Sequence, residues 1–481
     1  MLAEEQPMDR ERTRRFIEQS WNESVLPTLI EYIRIPNKSP AFDPNWQANG
    51  HMETAVALIE NWCREHSLPD MTLEVVRLEG RTPLLLMEVP GEGQDSVLLY
   101  GHLDKQPEMS GWRKDLGPWH PVLEGDRLYG RGAGDDGYAV FAALNALRAL
   151  ADQAIPHRRC LILIESCEES GSYDLPPYID LLAHRIGDPS LVICLDSGCG
   201  NYDQLWCTTS LRGMASGVLS IDVLREGVHS GDASGIVPSA FRVLRQLLSR
   251  LEDEEHGAIL PAEFQVTIPE GRVAQARRAA EVLAEGVFQK YPLLPGVRPV
   301  GGARSEMVLN RTWRPALSVT GVAGLPALAD AGNVTVPRIA IKLSLRLAPT
   351  CDAESAARHL KDLLEGNPPY GVHVNFEPDP PANGWDAPAL ATWLATATEA
   401  ASYAYFGRAA IYMGEGGTIP FMAMLGNRFP ASQFLITGVL GPESNAHGPN
   451  EFLHIPTAEK ITCCVAEILA AHYRATGPMV R

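Results

Sequence analysis

The chain has 481 residues, enough for two to four domains, and its 45% hydrophobic and 21% charged residues are typical of a globular protein. Its 41 basic and 59 acidic side chains give a net charge of −18, which argues against nucleic acid and membranes as partners. No apolar run reaches the roughly 18 residues of a membrane span, and Met1 to Arg15 lacks the apolar core of a secretory signal. Nine cysteines without a C-x-x-C pair favour a reducing cytoplasm.

Helices and short apolar strands alternate over the first 210 residues. The pattern predicts a helix from Phe16 to Ile35 that kinks or breaks at Pro27, and a second helix from Met52 to His66. An Ala/Leu-rich helix is predicted over Tyr138–Leu150. The predicted strands are Leu73–Leu78, Pro83–Val89, Ser96–Tyr100, Cys160–Ile164 and Leu191–Leu195. Because continuous apolar runs are typical of strands buried on both faces, we expect a mostly parallel central sheet in an α/β domain.

The pattern changes after about Leu211, where apolar and polar residues begin to alternate along the predicted strands. Such strands have one solvent-exposed face, and their order with the helices predicts an α+β module of the split-βαβ, ferredoxin-like type. The predicted elements are Val218–Val223, Ser239–Leu251, Val273–Phe288, Ile339–Leu347, Ala353–Glu365 and Val372–Phe376. After a Pro/Gly-rich hinge at Pro378–Gly384, a helix over Ala387–Tyr405 and strand-like pieces continue to the end. We therefore expect a catalytic domain of residues 1–210 and 383–481, with residues 211–382 inserted as a lid or dimerisation domain.

Acidic and histidine side chains cluster at the ends of the predicted strands. The clusters are G-H-L-D (101–104), G-R-G-A-G-D-D-G (130–137), E-S-C-E-E-S-G (165–171) and D-S-G (196–198). Ligands bind at the carboxyl ends of strands in open α/β sheets, so we expect these groups to converge. Without a cation they would repel one another by on the order of several kcal/mol at low dielectric. Each cluster alone has a simpler interpretation as a surface histidine, a helix N-cap or a solvated pair, but together they favour a divalent metal pair.

Motifs of other enzyme classes are either absent from the chain or lack a residue that their chemistry requires. Gly132-x-Gly134-x-x-Gly137 has the spacing of a dinucleotide fingerprint, but two aspartates stand where a pyrophosphate would bind. Twenty residues beyond Gly137 stands His157 in place of an acidic ribose ligand. The chain contains neither G-x-S-x-G nor H-E-x-x-H, so the usual serine-hydrolase and single-zinc protease motifs are missing.

Eight segments, in this order along nearly the whole chain, resemble one family: the dinuclear-zinc metallopeptidases that include aminoacylases, carnosinases, cytosolic nonspecific dipeptidases and succinyl-diaminopimelate desuccinylases. The segments are G-H-L-D-K-Q-P (101–107), L-Y-G-R-G-A-G-D-D-G (128–137), E-S-C-E-E-S-G-S (165–172), L-D-S-G (195–198), H-S-G (229–231), R-L-A-P (346–349), G-E-G-G-T-I-P (414–420) and H-G-P-N-E (447–451). The resemblance implies that His102, Asp135 and Asp196 hold one metal ion. It implies that Asp135 bridges to a second ion held with Glu169 and His447.

The resemblance also assigns the residues around the metals. Glu168 is expected to act as general base and acid, and Asp104 to orient His102. The peptide bond from Asp135 to Asp136 is expected to be cis, as in relatives. The implied cofactor is two Zn²⁺ per chain, with Mn²⁺ or Co²⁺ as substitutes, because imidazole and carboxylate ligands suit such ions.

Further residues are expected to contact a small peptide substrate. Arg346 resembles the family arginine that binds a substrate carboxylate, although alone it would be a solvent-facing strand residue. His229 resembles the histidine that stabilises the oxyanion in a partner subunit's site, which implies a homodimer, although alone it would be a surface-loop histidine. Weaker expected contacts are Asn333, Gly416, Gly417 and Thr418.

Two positions depart from the family pattern. Gly137 stands where the family often has Lys, and Lys105 stands where it usually has an apolar or small residue. One hypothesis is that Lys105 supplies the missing charge. Neither change removes an expected metal ligand, so we expect them to bear on substrate preference rather than on catalysis.

The resemblance favours a cytosolic dipeptidase or aminopeptidase-type enzyme. In relatives, Asp at the position of Asp196 accompanies those activities, whereas Glu accompanies carboxypeptidases and deacylases. The inserted domain of 172 residues is long for the lids of carboxypeptidase relatives. An N-acyl amino acid amidohydrolase on the same scaffold, or an inactive binding protein, remains as an alternative.

Overall fold

The computed structural model describes residues 7–476, so the first six residues of the Met1–Arg15 segment lie outside the described residues. The chain forms two compact units. The first contains residues up to Thr208, Ala387–Tyr412 and residues from Met424, and the second contains Thr209–Asp386 and Met413–Ala423. No helix among residues 7–476 is both long and apolar enough to cross a membrane.

The first unit is built on a six-stranded sheet. In spatial order its strands are Thr72–Val76, Leu84–Val89, Arg159–Glu165, Ser96–His102, Leu191–Cys194 and Gln433–Ile436. The last four strands pair in parallel with one another. Leu84–Val89 pairs antiparallel with both of its neighbours. All seven residues of Ser96–His102 are buried, as its continuous apolar run predicts. A small antiparallel sheet consists of Val122–Glu124, Arg127–Tyr129 and Phe452–His454.

The helices that share one apolar core with this sheet are Arg10–Ser20, Leu26–Ile33, His51–Glu65, Ala139–Asp152, Thr392–Phe406 and Ile455–Thr476. The short helices Trp46–Asn49, Leu175–Leu181 and Ala183–Ile186 also belong to this unit. Of the kink or break predicted at Pro27, the break is wrong: Trp21–Val25 forms a wider π turn that joins Arg10–Ser20 to Leu26–Ile33 with helical backbone at both junctions. Such a turn accommodates the missing N–H of proline.

The second unit is built on a four-stranded antiparallel sheet. Its spatial order is Ala316–Ala323, Arg338–Leu347, Gly213–Asp222 and His373–Pro378. Helices Ala240–Leu251 and Ala353–Glu365 share one apolar core with this sheet. Arg338–Leu347 alternates buried and exposed side chains, as the sequence predicts. The chain order β-α-β-β-α-β is that of a ferredoxin-like module, so the predicted fold class is confirmed.

The remaining elements complete the second unit or cross between units. Within the second unit lie Val228–His229, Ser230–Ala233, Glu270–Leu283, Gly286–Gln289, Arg304–Thr312, Val334–Thr335 and Trp385–Asp386. Three elements contain points where the chain passes from one unit to the other: Trp206–Leu211, Ile411–Glu415 and Pro420–Arg428. The strand Ala316–Ala323 and the helix Arg304–Thr312 were not predicted. The long helix Ile455–Thr476 replaces most of the strand-like pieces expected at the end of the chain.

Candidate metal centre

Parallel strands of the six-stranded sheet deliver the first ligands to one edge. His102 is the last residue of Ser96–His102, and Asp196 lies two residues beyond Leu191–Cys194. The turn of Glu168 and Glu169 follows the end of Arg159–Glu165. Because these strands are parallel neighbours, their carboxyl ends meet at the same edge.

Loops bring the other two ligands to this edge. Asp135 lies in the turn that precedes helix Ala139–Asp152, and its peptide bond to Asp136 is cis, as expected. His447 lies in the loop before Phe452–His454. Both loops belong to the first unit, like the strand ends.

Asp135 lies at the centre of the cluster and faces both histidines. Its Oδ1 lies 3.3 Å from His102 Nε2, and its Oδ2 lies 3.0 Å from His447 Nε2. Asp196 Oδ2 lies 3.8 Å from His102 Nε2, and Glu169 Oε2 lies 3.2 Å from His447 Nε2. The structure therefore brings together all five residues for which metal ligation was predicted, although their role as ligands stays a prediction.

Two overlapping groups of ligand atoms are compact enough to hold an ion. The atoms of His102, Glu168 and Asp196 lie within 4.8 Å of one another, as do those of His102, Asp135 and Glu169. Glu168 therefore lies within one of these groups, as close to His102 and Asp196 as a metal ligand would be.

Burial and mutual repulsion shape the electrostatics of the carboxylates. Burial raises the pKa of Asp196 to about 7, and the nearby charge of Asp135 adds to this effect. Burial and the charge of Asp135 also raise the pKa of Glu169. Burial would lower the pKa of His447, but Asp135 and Glu169 raise it to about 11, although 55% of this side chain is exposed. So many buried carboxylates favour a bound cation, and imidazole and carboxylate donors fit Zn²⁺ or Mn²⁺.

Asp104 contacts both a predicted ligand histidine and the turn that carries Glu168 and Glu169. His102 Nδ1 hydrogen-bonds to the backbone oxygen of Asp104 at 3.1 Å, and Asp104 Oδ1 lies 3.5 Å from the same nitrogen. The carboxylate of Asp104 also accepts hydrogen bonds from the backbone N–H groups of Glu168, at 3.0 Å, and Glu169, at 2.9 Å. Asp104 therefore holds His102 through its backbone oxygen and holds the turn of both glutamates through its carboxylate, and the second link was missed by sequence reasoning.

Gln106 is a second residue that sequence reasoning missed. Its Nε2 donates to Glu169 Oε2 at 2.6 Å. Its position in the first matching segment was the only available signal, because that segment contains His102 and Asp104 as well.

The ammonium group of Lys105 is hydrogen-bonded to backbone oxygens inside the protein. Lys105 is fully buried and its Nζ donates to the carbonyl oxygens of Tyr32, at 2.7 Å, and Ile35, at 2.9 Å. Burial lowers the pKa of Lys105 well below its usual range. Its donors are therefore engaged near the end of helix Leu26–Ile33.

Two of the expected substrate contacts lie together in the second unit. His229 is exposed and belongs to a two-residue strand in which it pairs with Val334. The backbone oxygen of Asn333 accepts a hydrogen bond from Ser230 N at 2.9 Å. His229 and Asn333 therefore occupy the same small feature of this unit.

The other expected substrate contacts form a second group in the same unit. Arg346 Nη1 donates to Thr418 Oγ1 at 2.8 Å, and burial lowers the pKa of this guanidinium. Arg212, which the sequence did not indicate, joins the group. Its backbone N donates to Gly417 O at 3.1 Å and its Nε donates to Gly416 O at 3.1 Å. The buried Arg212 and the half-buried Arg346 thus support the Gly-Gly-Thr loop.

Comparison with known proteins identifies the family. Residues 98–471 match Peptidase family M20/M25/M40. The chain is 27% identical over 422 residues to a cysteinylglycine-S-conjugate dipeptidase of Corynebacterium striatum, covering 84% of this chain and 88% of that protein. It is 28% identical over 293 residues to a Beta-Ala-His dipeptidase of Mus musculus, covering 59% and 58%. Its fold resembles that of human carnosine dipeptidase 1, with a TM-score of 0.78 and 21% identity over 97% of this chain and 99% of that one.

The family match covers more than half of the chain. The chain therefore belongs to Peptidase family M20/M25/M40. The predictions of a metallopeptidase of the dipeptidase type and of its family are confirmed.

Proposed function

We propose that this enzyme hydrolyses dipeptides with a free amino terminus, using two zinc ions held by the five clustered ligands. One observation carries the proposal: the two carboxylate oxygens of Asp135 face His102 and His447 separately, at 3.3 and 3.0 Å. A carboxylate placed in this way can bridge two ions. Mn²⁺ or Co²⁺ would satisfy the same donors.

When bound, the metal pair supplies an acidified water and polarises the scissile carbonyl. Glu168 is the group of this chain that handles the proton. Burial and the neighbouring Asp196 raise its pKa well above the usual range, which suits a group that accepts a proton and returns it to the leaving amine. Hydrogen bonds from its own backbone and that of Glu169 to Asp104 hold Glu168 in place.

The second unit would supply the substrate contacts. We assign Arg346 to the carboxylate of the peptide, because its guanidinium is half-buried and hydrogen-bonded to a hydroxyl group, Thr418 Oγ1. The weaker contacts remain Asn333, Gly416, Gly417 and Thr418. His229 would stabilise the oxyanion in the active site of a partner subunit.

A homodimer would also cover an exposed strand. Ala316–Ala323 lies at the edge of the four-stranded sheet, and its Val319 and Val322 are 51% and 63% exposed. Edge strands with apolar side chains favour association, and a second copy is the simplest partner. We further propose a cytoplasmic location, because all nine cysteines are free thiols, eight of them buried.

A paired substrate test separates the dipeptidase from the N-acyl amidohydrolase. Purified enzyme loaded with zinc or manganese is assayed on a dipeptide library and on the N-acetylated forms of the same dipeptides. We expect turnover of the free-amine peptides and little of the acetylated ones. Preference for the acetylated forms would establish the amidohydrolase, and metal binding without turnover of either would establish a binding protein.

A further inference from the structure

A buried ion pair joins the two loops of the centre. Arg131 and Glu451 have side chains that are 1% and 0% exposed, and Nη1 of the arginine pairs with Oε2 of the glutamate. Arg131 stands four residues before Asp135, and Glu451 stands four residues after His447. The pair therefore connects the sequence neighbourhoods of the two ligands that face each other at 3.0 Å.

Further hydrogen bonds make this connection a clamp, defined here as Arg131 and Glu451 with their backbone partners. Nη2 of the arginine donates to Gly448 O at 2.8 Å, beside the ligand histidine. Gly132 N donates to the other carboxylate oxygen of Glu451 at 2.9 Å, and Gly130 N donates to its backbone oxygen at 3.0 Å. Arg131 thus bonds the backbone of the residue after His447, and the carboxylate of Glu451 bonds the backbone three residues before Asp135.

The loop that carries His447 needs such support. His447 and three other non-glycine residues of this loop have left-handed backbone angles, a region that such residues seldom adopt. The other three are Glu443, Asn445 and Asn450. Because the side chain of His447 is largely exposed, packing holds it weakly. The loop conformation must therefore be maintained by contacts elsewhere. The clamp provides those nearest His447, and hydrogen bonds from Phe452 N to Ser444 O and from Arg113 N to Asn450 Oδ1 hold other parts of the loop.

We propose that Arg131 and Glu451 are positioning residues that fix His447 against Asp135 and so set the affinity of the metal ion these two ligands share. The inference rests on the proposed function, since it requires both ligands to bind metal. A buried ion pair adds little net stability over well-packed neutral groups, because desolvation offsets the attraction. A role in fixing geometry accounts for keeping both charges here.

The test separates positioning from folding by comparing three variants. Glu451→Gln leaves the guanidinium of Arg131 buried without its counter-charge, so it should lower both thermal stability and metal affinity. Arg131→Met combined with Glu451→Gln removes both charges and should recover stability. Glu88→Gln is the control, because the carboxylate of Glu88 accepts from Arg159 and Arg185 at the opposite end of the sheet.

Metal affinity is measured by competition with a chromophoric chelator and by the absorption of bound Co²⁺. We expect one of the two ions to bind 10–100-fold more weakly in both clamp variants, the usual effect of removing a group that supports a ligand. The Glu88→Gln control should bind both ions normally. A stable double variant that holds both ions as tightly as wild type would overturn the clamp alone. Wild-type protein that binds fewer than two ions would overturn the proposed function and the clamp with it.

Discussion

Replacing Asp104 with asparagine tests how the centre is held together. In the wild type, each carboxylate oxygen of Asp104 accepts one backbone N–H, from Glu168 at 3.0 Å and from Glu169 at 2.9 Å. Asparagine keeps one oxygen and presents an NH₂ group to the other N–H. Two donors then face each other in a buried place, so one backbone group must lose its partner.

Asp104→Asn should have two costs of similar size, one in folding stability and one in the free energy of metal binding. A hydrogen bond to a charged group contributes about 1.5–3 kcal/mol. Loss of a group that supports metal ligands weakens metal binding about 10–100-fold, which is about 1.4–2.7 kcal/mol at 1.36 kcal/mol per factor of ten. We therefore expect Asp104→Asn to lose stability and at least one metal ion in parallel.

Asp174→Asn provides the matched control. Asp174 is also a buried aspartate whose carboxylate accepts a backbone N–H, from Thr82 at 3.0 Å, and it pairs with Arg81. Its loss should reduce stability by a similar amount and leave metal affinity unchanged. Chemical denaturation and chelator competition on both variants measure the two effects. If Asp104→Asn bound both ions with wild-type affinity, the supporting role assigned to Asp104 would be refuted.

Exhaustive chelation should abolish activity, and added zinc or manganese should restore it; elemental analysis of the loaded enzyme should find two ions per chain. Glu168→Gln should reduce kcat by about 10²–10⁴-fold while retaining metal, since it removes only the proton acceptor; loss of metal instead would mean that Glu168 is a ligand. Mixing Glu168→Gln with His229→Ala and allowing subunit exchange should return roughly a quarter of wild-type activity, and no recovery despite exchange would confine His229 to its own chain. Burial lowers the pKa of His472 to about 4. As the pH falls, His472 is protonated in the unfolded chain before it is protonated in the folded protein. Wild type should therefore lose about 1.6 kcal/mol more stability than His472→Gln between pH 6.5 and 5.

The convergence of the centre could be predicted because strand ends are visible in the sequence. The runs before His102 and Asp196 are short, apolar and uninterrupted, which indicates buried parallel strands. Parallel neighbours end at one edge, so the order of the runs sufficed to bring their ligands together. His447 follows no such run, and only the family resemblance indicated it.

The hydrogen bonds and elements that were not predicted leave no clear pattern of side chains in the sequence. The hydrogen bonds of Asp104 run to backbone N–H groups, which every residue except proline has, so no sequence signature marks them. Strand Ala316–Ala323 was missed because the alternation of apolar and polar residues that begins at Leu317 stops at Gly321, where the strand pairing is also irregular. Helix Ile455–Thr476 is buried on most sides, and a helix that is apolar all round loses the period that distinguishes it from a strand.

The two departures from the family pattern both lie against Tyr32. The ammonium of Lys105 lies 3.8 Å from the centroid of the Tyr32 ring and donates to its backbone oxygen. A Cβ atom placed on Gly137 would lie 2.4 Å from Cε1 of the same ring, so no side chain fits there without displacing it. One tyrosine thus accounts for a glycine at one position and is paired with a buried lysine at the other. Both departures therefore belong to the packing around Tyr32. Because the amine of Lys105 is engaged with backbone carbonyl groups, these contacts do not support the hypothesis that Lys105 supplies the missing charge.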